Sequence, residues 1–155
     1  MTTKELMLND WVMLRGGKIY CRVGTISTEL IIGQTASGGA FKQSIEKIEA
    51  IPLSKDILLR TSFWMVTGQI FRKTAKDFAA FKYNLKLQRL EVIMEGASTS
   101  NYHFGVYTLH QLQQLYRLYT QGQELEVNIL SNKRTEYNQA YYEKTKNSKS
   151  NDNEL

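Results

Sequence analysis

The stretch Tyr107–Val127, YTLHQLQQLYRLYTQGQELEV, carries the longest helical repeat in the chain and constrains what the rest can be. Leu109, Leu112, Leu115, Tyr116 and Tyr119 recur at i, i+3, i+4 and i+7, which gathers them on one side of a helix. Thr108 and Gln111 have capping-box spacing, Tyr107 and Leu112 stand at hydrophobic-staple positions, and Gly122 follows the last periodic residue as a helix stop. The spacing predicts a helix over residues 109–119, with a closing strand in ELEV and NIL behind it. One amphipathic helix with a single apolar stripe must lie on a sheet.

The strands are legible in short runs with a repeat of two. In WVMLRGGKIYCRVGTI the pair Gly16-Gly17 supplies the positive φ angles of a tight hairpin, and Ile19, Cys21 and Val23 point to one face. STELIIGQ, the loop TASGGA and FKQSIEKIEAI follow. Ile45, Ile48 and Ile51 are spaced by threes, so strand and short helix compete there, and the brevity of the segment favours strand. Residues 1–53 thus predict a small β-roll or barrel. Pro52 precedes Ser54, a good N-cap, and Leu53 and Leu58 can form a staple, so a short helix over residues 55–60 marks the boundary between halves.

Residues 54–130 then predict an antiparallel sheet from FWMVTGQIFRKT, FAAFKYNLKLQRLEVIM and YHFGVYT, covered by the 109–119 helix. Within the middle run the apolar parity switches between Leu87 and Leu90, which requires a bulge or turn near Gln88-Arg89. Residues 131–155 lose the apolar pattern and predict a mobile polar tail. The fold class expected is α+β, mainly antiparallel β. A hydrophobic content of 42% is that of a chain able to bury a core, and Cys21 stands alone, which excludes an internal disulfide and points to a reducing compartment. No signal-peptide core and no run of 18 apolar residues occurs, so a cytoplasmic protein with no membrane partner is expected.

Enzyme chemistry finds little to build on. His103 and His110 are the only bases of their kind, and Cys21 lies far from both in sequence. His110 falls at the second helical position, where the positive end of the helix dipole favours its neutral form. His103, between Tyr102 and Phe104 at a strand start, is expected half-buried. There is no CxxC, no HxxxH, no close carboxylate cluster and no glycine-rich phosphate loop, so no catalytic residue, no metal ligand and no cofactor is assigned. A non-enzyme is expected.

The net charge of +5 sits mainly in residues 54–130. There FRKTAKDFAAFKYNLKLQR sets Arg72, Lys73, Lys76, Lys82, Lys86 and Arg89 against Asp77 alone. With Phe71, Phe78, Phe81 and Tyr83 interleaved, that stretch has the cations and stacking rings of a single-stranded nucleic-acid binder. It also has the alternating lysines that keep a sheet edge soluble, or that face a protein partner. A second candidate surface is the helix row outside the apolar stripe: His110, Gln113, Gln114 and Arg117.

ELMLNDWV at Glu5–Val12, IPLSKDILLRTSF at Ile51–Phe63 and YTLHQLQQLYRLYTQGQEL at Tyr107–Leu125 resemble, in the same order, the signatures of a family of small proteins. That family is encoded by gut anaerobic bacteria and by their phages and mobile elements. The chain departs from the pattern at Asp10 and at Gln121-Gly122. The resemblance implies a phage or mobile-element accessory protein that binds a host or phage protein. Nucleic-acid binding, or a minor structural role in the virion, are the alternatives.

Overall fold

The computed structural model describes residues 1–16, 19–96 and 101–129. The first half forms β1 (Trp11–Leu14), β2 (Tyr20–Ile26), β3 (Leu30–Thr35), β4 (Ala40–Ser44) and β5 (Ile48–Ala50). These make a five-stranded antiparallel sheet in the order β4-β3-β2-β1-β5. β4 and β5 lie at opposite edges with no ladder between them among the described residues, so the sheet is open where a barrel would close. Between these two strands Ile45–Lys47 forms a single 3-10 turn, so both tendencies of the isoleucine triad are realised in succession.

The Gly16-Gly17 hairpin joins β1 to β2, with Gly16 at φ 73° and the Leu14 amide bonded to the Ile19 carbonyl. Gly17 itself lies outside the described residues. Cys21 and Val23 are buried as expected, but Ile19 is half exposed. It sits beyond the last laddered residues, Met13 and Tyr20, at the mouth of the hairpin turn. Leu6, Val12, Cys21, Val23, Ile31, Phe41 and Ile48 form a small first core.

Ser54 caps α1 (Lys55–Leu59), its hydroxyl accepting from the Ile57 amide at 3.2 Å, and both staple residues are buried. The second sheet follows as β6 (Trp64–Met65), β7 (Ile70–Ala75), β8 (Ala79–Asn84), β9 (Arg89–Met94) and β10 (Asn101–Gly105). It is a plain meander, ordered β10-β9-β8-β7-β6. The parity switch in FAAFKYNLKLQRLEVIM is a turn through Leu85–Gln88, with Gln88 at φ 50°, so the run is a hairpin of two strands.

Helix α2 (Leu109–Tyr119) covers the inner face of this sheet, burying Leu109, Leu112 and Tyr116 against Phe71, Phe81, Tyr83, Leu90 and Val92. At its start Gln111 Oε1 accepts from the amides of Tyr107 and Thr108 at 3.0 and 3.3 Å. At its end the Gly122 amide bonds the Arg117 carbonyl at 2.8 Å, a Schellman closure. Gly122, the expected stop, has a positive φ of 88°, and Gln121 before it is left-handed too, at φ 55°. Among the described residues, the expected closing strand in ELEV and NIL is reduced to an isolated bridge at Val127. Leu125 and Ile129 are buried, and the segment touches the turn after α1 through a bridge of Thr61 with Val127. Trp11, Met13 and Tyr20 from the first sheet pack on this larger second core. The tail expected over residues 131–155 lies outside the described residues.

Candidate functional site

The helix row expected to meet solvent or a partner meets the chain itself. Gln113, 1% exposed, accepts from the Trp11 amide at 2.9 Å and donates to the Asn9 carbonyl at 3.1 Å. Gln114 Nε2 donates to the Glu5 carbonyl at 2.9 Å and to Asp10 Oδ2 at 2.7 Å. Arg117 Nη1 donates to Asp10 Oδ1 at 2.6 Å while its Nε lies 3.0 Å from Glu124. Asp10, wholly buried, also accepts from the Met7 amide at 2.8 Å. These bonds clamp the turn before β1 onto α2. Asp10 drew attention in the sequence only as a departure from the family pattern. What marks it is its place in LNDWVML, an acid two residues ahead of the buried Val12.

His110 is 5% exposed, with Nδ1 lying 3.3 Å from the Thr108 hydroxyl. Burial pushes its pKa below the ordinary value, and the nearby carboxylates of Asp10 and Glu5 pull weakly the other way. His103, expected half-buried, is exposed, because its parity puts it on the uncovered face opposite Glu91. Cys21 is fully buried, and burial pushes its thiol up to about 11, which leaves no thiolate at neutral pH. Burial likewise pushes Tyr83 up to about 12, its hydroxyl donating to the Val106 carbonyl at 2.7 Å. Among the described residues no group of three His, Cys, Asp or Glu side chains could hold a metal ion. No helix there is long and apolar enough to cross a membrane.

The basic stretch is divided by the pleat. Arg72 pairs with Lys82 and Asn84 with Arg89, so Arg72, Lys82 and Arg89 share the uncovered face of the sheet. Lys73 pairs with Phe81 on the inner face, and Lys76 and Lys86 lie in the turns at opposite ends of β8. The interleaved rings divide the same way. Phe71, Phe81 and Tyr83 are core residues on the inner face and Phe78 packs against it, so none stands beside the three outer cations. The ring that does is Trp64, paired with Arg72 and 48% exposed.

A groove of about 640 Å³ opens between the N-terminal turn, α2 and the end of β10. Met7, Phe104, Leu115 and Leu118 supply its apolar wall, and Gln111, Gln114 and Arg117 its polar one. Sequence periodicity hid it, because Leu115 belongs to the apolar stripe and Leu118 falls outside it. The fold defines the chain as an α+β protein of two antiparallel sheets and one main helix. No family model, curated protein or solved structure matches it.

Proposed function

We propose that the protein is a non-enzymatic interaction module, an accessory protein of a phage or mobile element that binds a host or phage protein in the bacterial cytoplasm. The observation that supports this is large apolar exposure beside both edge strands of the second sheet. At β6, Trp64, Met65 and Val66 are 48%, 42% and 50% exposed; around β10 and its groove, Met7, Tyr102, Tyr107 and Leu118 are 49%, 45%, 54% and 68% exposed. Strand edges of proteins that act alone are shielded by charge, proline or covering segments, and clustered apolar exposure marks binding surfaces. Photo-crosslinking tests the reading. With benzoylphenylalanine placed at Trp64, at Leu118 or, as a control, at Lys42, discrete adducts are expected from one or both of the first two positions in producing cells. Equal or absent labelling at all three refutes it.

A second reading has its own observation: Arg72, Lys82 and Arg89 share a face with Trp64. Three cations and one ring suit a short single-stranded segment. Binding of oligo-dT should then weaken with a log-log salt slope of about −2, and Trp64→Ala should reduce it further. A salt-independent signal removes this reading.

A further inference from the structure

The phase of the β9–β10 ladder leaves one edge of β10 open. The Val106 amide donates to the Gln88 carbonyl at 3.0 Å, so residues 102, 104 and 106 turn their peptide groups to β9. Asn101, His103 and Gly105 therefore turn theirs outward, and among the described residues those peptide groups have no hydrogen-bond partner. Gly105 also lines the groove, with Phe104 beside it. The unpaired strand edge thus meets an apolar cleft at Gly105, with α2 as the opposite wall.

The polar wall states what the cleft accepts. Arg117 has a side chain only 10% exposed, yet its Nη2 is buried with no partner. Gln111 uses Oε1 for the Tyr107 and Thr108 amides, which leaves its Nε2 as a donor among the described residues. The buried Nη2 calls for an acceptor, and the half-buried Gln111 Nε2 can donate to one. That acceptor is not an anion, because Arg117 is already held by Asp10 and Glu124 and the local balance is one carboxylate in excess. A neutral carbonyl fits, and a cation alongside it would meet Glu124.

We propose that an extended segment of a partner protein adds to β10, its apolar side chains against Met7, Phe104, Leu115 and Leu118, its carbonyls facing Arg117 and Gln111, and a basic side chain near Glu124. This is strand addition, in which main-chain bonds supply affinity and the alternate side chains supply selection. The proposal rests on the interaction-module reading and names its partner's chemistry.

The test uses the full ¹⁵N-labelled chain and the capped peptide acetyl-Lys-Val-Thr-Leu-Thr-Val-Lys-amide. Titration should shift and protect the amides of His103 and Gly105. N-methylation of alternate peptide nitrogens should weaken binding by about tenfold, the loss expected for one or two hydrogen bonds. Glutamate in place of both lysines should also weaken it. His103→Pro removes an outward amide at an edge position that tolerates proline; it should keep the native spectrum and lose binding, whereas His103→Ala keeps both. Leu118→Lys, at an exposed position, should close the cleft to the peptide. Indifference to N-methylation, preference for the glutamate peptide, shifts confined to Arg72 and Lys82, or a dimer abolished by His103→Pro each overturn it. Should the peptide fail while Trp64 still crosslinks, the interaction module survives and this groove does not.

Discussion

Asp10 is the residue on which the arrangement turns. Its carboxylate is completely enclosed and receives three donors, from Arg117, Gln114 and the Met7 amide. Removing one member of a buried ion pair leaves the other desolvated, at a cost of about 3–5 kcal/mol. Asp10→Ala should lose that much stability in urea unfolding. Arg117→Met in the same background should cost less than it does alone, with a coupling of about 1–3 kcal/mol. Additive effects would show that the pair is not the clamp. His110 adds a pH dependence. Its folded pKa lies below its unfolded one, so between the two the unfolded chain binds more protons and stability rises with pH. The contribution is complete above the unfolded value, about 6.5, and is lost as pH falls below it toward the folded pKa. Unfolding free energies measured from pH 7.5 down to 5 should fall, and His110→Asn, which cannot charge, should flatten that slope. An unchanged slope would place the titration elsewhere.

At the scale of elements, α2 shows how far sequence reasoning reaches. Its span, its entry through Thr108 and Gln111 and its leucine-tyrosine stripe follow from local periodicity and capping chemistry. Its end follows only in part. Gly122 has the positive φ expected of a helix stop, but Gln121 before it is left-handed as well, in a conformation that favours glycine. Gln121→Gly should therefore raise stability by roughly 0.5–1 kcal/mol, read as a higher urea midpoint at unchanged slope; a lower midpoint would mean that the glutamine side chain compensates the strain. The polar row of α2 was legible as a surface but not as to what it touches, because Asp10 lies more than a hundred residues away in sequence. No local rule connects the two. The basic stretch divides for the opposite reason: its residues are neighbours in sequence, and the pleat sends Lys73 and Phe81 one way and Arg72 and Lys82 the other. Strand boundaries must be known before such a run becomes a patch.

At the scale of the molecule, two sheets of equal strand number have unequal cores. Among the described residues, the first sheet closes on seven buried apolar residues, whereas the second, with α1, α2 and the segment to Ile129, encloses eighteen. A core that small is marginal by itself. The first sheet borrows support by laying Trp11, Met13 and Tyr20 on the larger core and by bonding residues 5–11 to Gln113, Gln114 and Arg117. Loosening the clamp should therefore act on one half more than the other. In native-state hydrogen exchange, Asp10→Ala should speed the amides of β1, β2 and β3 strongly while those of β7, β8 and β9 keep most of their protection. The change should precede global unfolding in low urea, as expected for a cooperative unit released from its neighbour. Equal acceleration throughout would mean that both sheets unfold as one unit, and that the Asp10 clamp stabilises the whole molecule without partitioning it.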